Sequence, residues 1–167
     1  MKNINEPSCE KEILETLEEH ENINDFIQIA IHILESLIFK AVKYYLNNSQ
    51  NYETQFILEP LFLNNGPLND NSVQLKLLLG LGKLPYKWYC FCNLMFELDI
   101  TTPLGIDDIK NLFTKITNNS NVRSKVKLNP LEDLPTKIKL SLSEAKLKSA
   151  VSLQLIELNK TLFSTKN

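Results

Sequence analysis

Glycine is scarce in this chain, four in 167 residues, and arginine scarcer still: Arg123 alone among the 18 basic side chains is not a lysine. Histidine stops at His20 and His32, and cysteine at Cys9, Cys90 and Cys92. Each shortage removes a class of chemistry. Cys90 and Cys92 stand two apart, which on a helix points them about 200° from one another, a poor arrangement for a metal or redox pair. With two histidines in the chain, a Cys/His zinc site is not expected, and the thiols read as reduced and mostly buried. His32 lies among apolar neighbours and reads as a core histidine with a satisfied hydrogen bond. No Ser/His/Asp set, metal cluster or carboxylate pair can be argued. Glu59 beside Pro60, and Asp70, are the candidate acids, and a turn or a cap explains each. No enzyme and no cofactor are expected.

Long apolar runs are missing too. None approaches the ~18–20 residues of a membrane span, and the opening "MKNINEPSCEKEI" has no apolar core of a secretion signal. A cytoplasmic protein without membrane contact is expected.

What is present fits one domain, residues 1–167, long enough to bury a core without disulfides or metals. The charge is uneven: residues 1–109 carry 7 basic and 16 acidic side chains, residues 110–167 carry 11 and 4. Such asymmetry serves a nucleic-acid arm, self-association, or docking on an acidic protein surface, and solvated helix faces also produce it.

The periodicity is helical nearly throughout, so the expected fold is all-α, a single-domain multi-helix bundle. Residues 1–22 read as an acidic amphipathic helix capped by Ser8, with Ile13, Leu14 and Leu17 inward. Asn24 is a candidate cap for a helix to about Leu46, its stripe running Ile27, Ala30, Ile31, Leu34, Ile38, Ala41 and Tyr45. Pro60 interrupts "NYETQFILEPLFL", so that helix kinks or restarts there. Pro85 opens an aromatic helix over 86–98, and Asp107 is a candidate cap for the helix holding Ile109, Leu112, Phe113 and Ile116. Ser141-x-x-Glu144 reads as a capping box for the last helix, through Leu147, Val151, Leu155, Leu158 and Leu162. The irregular basic segment 118–140 lies between. Alternation of Val122, Val126 and Leu128, then Ile138, Leu140 and Leu142, with basic residues allows a small β-hairpin or extended arms near 122–142. The surplus apolar surface of helices 24–46 and 86–98 makes a homodimer a candidate.

Three of the four glycines fall in "LEPLFLNNGPLNDNSVQLKLLLGLGKLP", residues 58–85, the last followed by Lys83. A P-loop would need glycine at Leu77 and a hydroxyl at Leu84, so that motif fails, and no strand precedes Gly80-Leu81-Gly82 to make a dinucleotide fingerprint. Backbone punctuation accounts for the glycines. Asn65-Gly66-Pro67 makes a turn with Gly66 at positive φ, Asn69 or Asp70 caps a helix, and Gly80 or Gly82 ends it in left-handed conformation. Helix, turn, helix also describes a DNA-binding motif, but the would-be recognition helix offers Trp, Phe, Met and Leu where groove contact wants Arg, Asn, Gln and Ser.

The run Glu59-Pro60-Leu61, Gly66-Pro67-Leu68, Ser72-Val73-x-Leu75-Lys76-Leu77 and Gly80-Leu81-Gly82 resembles the signature of the bacterial mannitol operon repressor family. The segment "GKLPYKWY" is similar to the family's less characterised sister group. Relatives often carry Arg at the place of Gln74 and Tyr at that of Leu79. The resemblance implies an all-helical transcriptional regulator that represses sugar or polyol utilisation genes through protein partners, a transcription factor or a phosphotransferase-system component. Lys76, Asn64 and Asn65 are then the candidate partner contacts. The alternative is direct nucleic-acid binding by the basic 122–148 segment, through Arg123, Lys125, Lys127, Lys137 and Lys139.

Overall fold

The computed structural model of the protein describes residues 10–46, 59–63, 66–99, 101–119 and 135–163. They form six α-helices: α1 (Glu10–Glu18), α2 (Ile23–Leu46), α3 (Asn71–Gly80), α4 (Tyr86–Phe96), α5 (Ile106–Asn119) and α6 (Thr136–Phe163). Two 3-10 turns, Glu59–Phe62 and Pro67–Asn69, lie between α2 and α3. No described residue is in a strand, and the all-α bundle is as the periodicity requires.

α2 is the central helix. Ile27, Ala30, Leu34, Leu37, Ile38, Ala41 and Val42 have no exposed surface, because α1, α3, α4 and α6 all pack on it and cover more than one face. α4 drives Trp88, Phe91, Cys92 and Met95 into the same core, and α6 adds Leu147, Val151, Leu155, Leu158 and Leu162. Apolar burial on this scale is the main stabilising term. The apolar faces of α2 and α4 are thus largely taken up by the chain's own helices.

His32 is not a core residue. It falls with Gln28 and Ser36 on a stripe of four-residue spacing that no helix covers, and its exposed ring sets Nδ1 3.1 Å from Glu35. Glu35 in turn accepts from Asn71 Nδ2 at 2.9 Å, tying α2 to the first turn of α3.

Three helix starts differ from expectation, and at the first a neighbouring residue supplies the cap. Ile23 is buried, which draws it into the stripe of α2, so Asn22 caps instead of Asn24 and its Oδ1 accepts from the Asn24 N–H at 2.8 Å. Asn24 uses its own oxygen on the Leu104 N–H at 3.1 Å. α5 starts at Ile106, before Asp107; the Asp108 carboxylate accepts from the Gly105 N–H at 3.0 Å, and Asp107 sits in the first turn. α6 starts at Thr136, five residues before Ser141, with the Ile138 and Lys139 N–H groups donating to the Pro135 carbonyl. Ser141 instead donates back to the Lys137 carbonyl at 3.1 Å. The alternation at Ile138, Leu140 and Leu142 is therefore helix, not a hairpin arm. Residues 122–134, with the other arm, and Ser8 lie outside the described residues.

The charge asymmetry resolves partly inside the fold. Acidic α1 buries Ile13 and Leu17 and packs on basic α6, where Lys160 lies 3.3 Å from Glu10. Lys148 donates to the His20 carbonyl at 3.0 Å and to that of Glu21, closing the α1–α2 turn. Each lysine so engaged is withdrawn from a surface patch.

Candidate partner-contact surface

The family-like motif lies on the two 3-10 turns, α3 and the turn into α4. Glu59–Phe62 winds one tight turn with Pro60 at its start, and the Leu63 N–H reaches back to the Pro60 carbonyl at 3.4 Å; the rest of the helix expected before Pro60 lies outside the described residues. Gly66 follows in extended conformation, φ −82° and ψ 148°, not at the positive φ expected of it. Its need is space: a Cβ there would stand 2.3 Å from the Leu61 carbonyl oxygen and 2.5 Å from that of Pro60. The Gly66 N–H donates to Leu63 O at 2.6 Å, which holds the two turns together. Pro67 then opens the second turn and Leu68 plugs into the core.

Asp70, one of the two expected caps, closes the start of α3. Its Oδ1 accepts from the N–H of Ser72 at 2.7 Å and of Val73 at 3.4 Å. Hydrogen bonds from Ser72, then Lys76 nearby, hold this carboxyl below its ordinary range. Gln74, where the family resemblance would lead one to expect Arg, is buried, and its Nε2 donates to the Leu68 carbonyl at 2.7 Å. An arginine there would bring a charge into the core.

Gly82 is the stop. At φ +65° its N–H donates to Leu79 O, and the Lys83 N–H spans back to Leu78 O at 2.9 Å, the paired bonds of a left-handed cap. Leu84 turns inward and Pro85 starts α4. Gly80, also a candidate for the stop, is the last residue of α3.

Lys76 projects outward from α3. Beside the start of that helix lies an open groove of about 600 Å³ lined by Gly66, Asp70, Ser72, Asn93, Phe96 and Glu97. Asn64 and Asn65 lie outside the described residues, as do Arg123, Lys125 and Lys127. Lys137 and Lys139 are in the first turns of α6, about 200° apart, so the helix does not set them on one face. Burial pushes the Cys92 thiol up, making it inert, and no His/Cys/Asp/Glu cluster among the described residues could hold a metal.

The expected contact set omits exposed residues just past α3. Leu81 and Tyr86 are 46% and 70% exposed, with Lys83 and Lys87 beside them. The sequence carries a signal for them: no acid occurs between Asp70 and Glu97, while Lys76, Lys83 and Lys87 do. No helix of the described residues is long and apolar enough to cross a membrane.

Comparison with known proteins covers most of the chain. A family model described as mannitol repressor matches residues 9–158. The mannitol operon repressors of two Escherichia coli strains, K12 and O6:H1, are each 30% identical to it over 89 residues, which are 53% of this chain and 45% of theirs. That match thus spans less than half the length of these curated relatives. Among solved structures, a chain of the MtlR–HPr complex from Escherichia coli has the same fold, with TM-score 0.67 and 22% identity over 92% of this chain and 97% of that one.

Proposed function

The chain belongs to the mannitol repressor family, and we propose that it regulates sugar or polyol utilisation genes, repressing them by gripping a protein partner and not by reading DNA itself. The partner favoured is an HPr-type component of the phosphotransferase system. One observation carries this reading: the fold is shared, over nearly its whole length, with a chain that was solved in complex with HPr. The character of α4 supports it, since its apolar face, with Trp88, Phe91, Cys92 and Met95, is spent on the core, and the face left outward carries Tyr86, Lys87 and Asn93 but no arginine or glutamine to read base edges. The basic residues of the nucleic-acid alternative that are described, Lys137 and Lys139, diverge around α6 and give it no comparable support.

Calorimetric titration of the purified chain with HPr from the same cell tests the proposal. Saturable binding is expected, together with no shift of a promoter duplex at low salt. Duplex binding that weakens steeply as salt rises, with no heat from HPr, would reverse the assignment.

A further inference from the structure

We propose that the end of the bundle formed by the α3–α4 turn and the last turns of α2 is a docking surface for a partner protein that presents an acidic rim around an apolar centre. The inference rests on reading the chain as a protein-contact regulator, and it names the surface and the chemistry of what it meets.

Two stretches meet there. Residues 36–46 of α2 hold Lys40 and Lys43 and no acid; residues 71–96 hold Lys76, Lys83 and Lys87 and no acid. In the part of the chain that is most acidic overall, these two stretches are wholly basic. Lys83 Nζ lies 4.9 Å from the centroid of the Tyr45 ring, which brings the turn onto the end of α2. The acids that border the region among the described residues are Glu35, held by His32 and Asn71, Asp70 near Lys76, and Glu59 on the 3-10 turn that joins it through Phe62; against these three stand five lysines.

The lysines are not ordinary solvated side chains. Lys43 sits 4.5 Å from the Phe39 ring and 5.3 Å from that of Phe62, and Lys87 sits 4.5 Å from the Trp88 ring. Aromatic faces hold these ammonium groups in place before any partner arrives, which lowers the entropy lost on binding. The carbonyl ends of α2 and α3 favour cations at the same place.

Between the charges stand the apolar contacts. Leu81 and Tyr86 are largely exposed, and Tyr86 is propped against Tyr89, ring centroids 6.1 Å apart and planes 19° from parallel. An exposed tyrosine stacked on a neighbouring ring, with Lys83 and Lys87 close to it in the chain, fits an interface anchor with a steering rim. Its complement is an apolar patch ringed by carboxylates. Phosphate backbones would match the lysines but leave Leu81 without a partner, and a membrane surface finds no amphipathic helix here to receive it.

The test joins two readouts. A photo-crosslinking phenylalanine derivative replaces Tyr86 in the native cell, with the same derivative replacing Leu153 on α6 as the control. A protein adduct is expected at 86 and not at 153, reduced at least about tenfold by Lys83→Glu with Lys87→Glu. In parallel, HPr is titrated into wild type, into that charge reversal, and into Leu81→Ser with Tyr86→Ala, whose exposed sites tolerate the change. HPr binding that is lost in both variants, at unchanged helicity, supports the surface directly. HPr binding that is equal in all three overturns it and leaves the proposed function standing. No HPr binding, with a charge-dependent adduct at 86 to another protein of acidic surface, keeps the surface and rejects HPr as the partner. Absence of any adduct, an adduct indifferent to charge reversal, or an adduct to a second copy of this chain overturns the inference.

Discussion

The turn that leads into α3 and the turn that leads out of it both depend on glycine, for opposite reasons. Before the helix, Gly66 has an ordinary extended backbone but is pressed against the carbonyls of Pro60 and Leu61. After the helix, Gly82 has open space where a Cβ would go, but its φ of +65° is one that L side chains rarely adopt. The first glycine answers to a tertiary contact and the second to the backbone alone. The difference teaches where substitution is forgiving: a strained φ is a local cost, whereas a clash between main chains must move a whole turn.

The sharpest break of this comparison is Gly66→Ala. Backbone atoms at 2.3 and 2.5 Å cannot yield as a side-chain tip would, so the two 3-10 turns must part and Leu68 lose its seat. A loss of about 3 kcal/mol is expected from urea unfolding, at the upper end of overpacking effects. A variant as stable as wild type would mean that the turns are not locked together. Gly82→Ala should cost less, about 1–2 kcal/mol for one left-handed residue, and Gly82→Asn should recover part of that. If alanine and asparagine prove equal there, the cost does not come from φ.

Both turns were expected from the sequence, but only the need for Gly82 was legible there; the need for Gly66 was not, and the reason is physical. A helix stop is written within a few residues: an apolar stripe ends, Gly82 follows, and Pro85 cannot continue the helix. The need at Gly66 comes from Leu61 folding back on it, a contact fixed by the packing of two turns, which no local pattern encodes. The same division runs through the rest of the molecule. The buried stripes of α2 and α6 follow from spacing alone, while His32 breaks the stripe because its face has no helix to cover it. Helix starts shift by a few residues where two capping residues compete, as at Asn22 and Asn24. At the proposed contact surface, Lys76 can be picked from the motif, but the seating of Lys43 and Lys83 on rings from other segments emerges only from the fold.

A third glycine calibrates the pair. Gly80 lies inside α3, with nothing within 4 Å of its missing Cβ and no positive φ. Gly80→Ala should therefore reverse the sign, stabilising by about 0.5–1 kcal/mol, because alanine restricts the unfolded chain at a site with neither objection. A rise in Tm with unchanged helicity is the expected record; a fall would show that the exposed end of α3 is more constrained than its surroundings indicate.

The smallest effect sharpens the comparison through charge. Asp70 closes the first turn as Gly82 closes the second, but its bonds depend on protonation. Ser72 hydrogen bonds, with Lys76 nearby, hold its carboxyl below the ordinary 3.8. A depressed native value means that the carboxylate favours the fold fully above the unfolded value, and that this contribution fades as pH falls through the native one. Asp70→Asn keeps a capping oxygen and removes the proton linkage, so wild type should exceed the variant near about pH 7 and the gap should close toward about pH 3. Urea midpoints at the two ends of that range decide it, because a gap of constant size would make the cap purely geometric, with no charge in it.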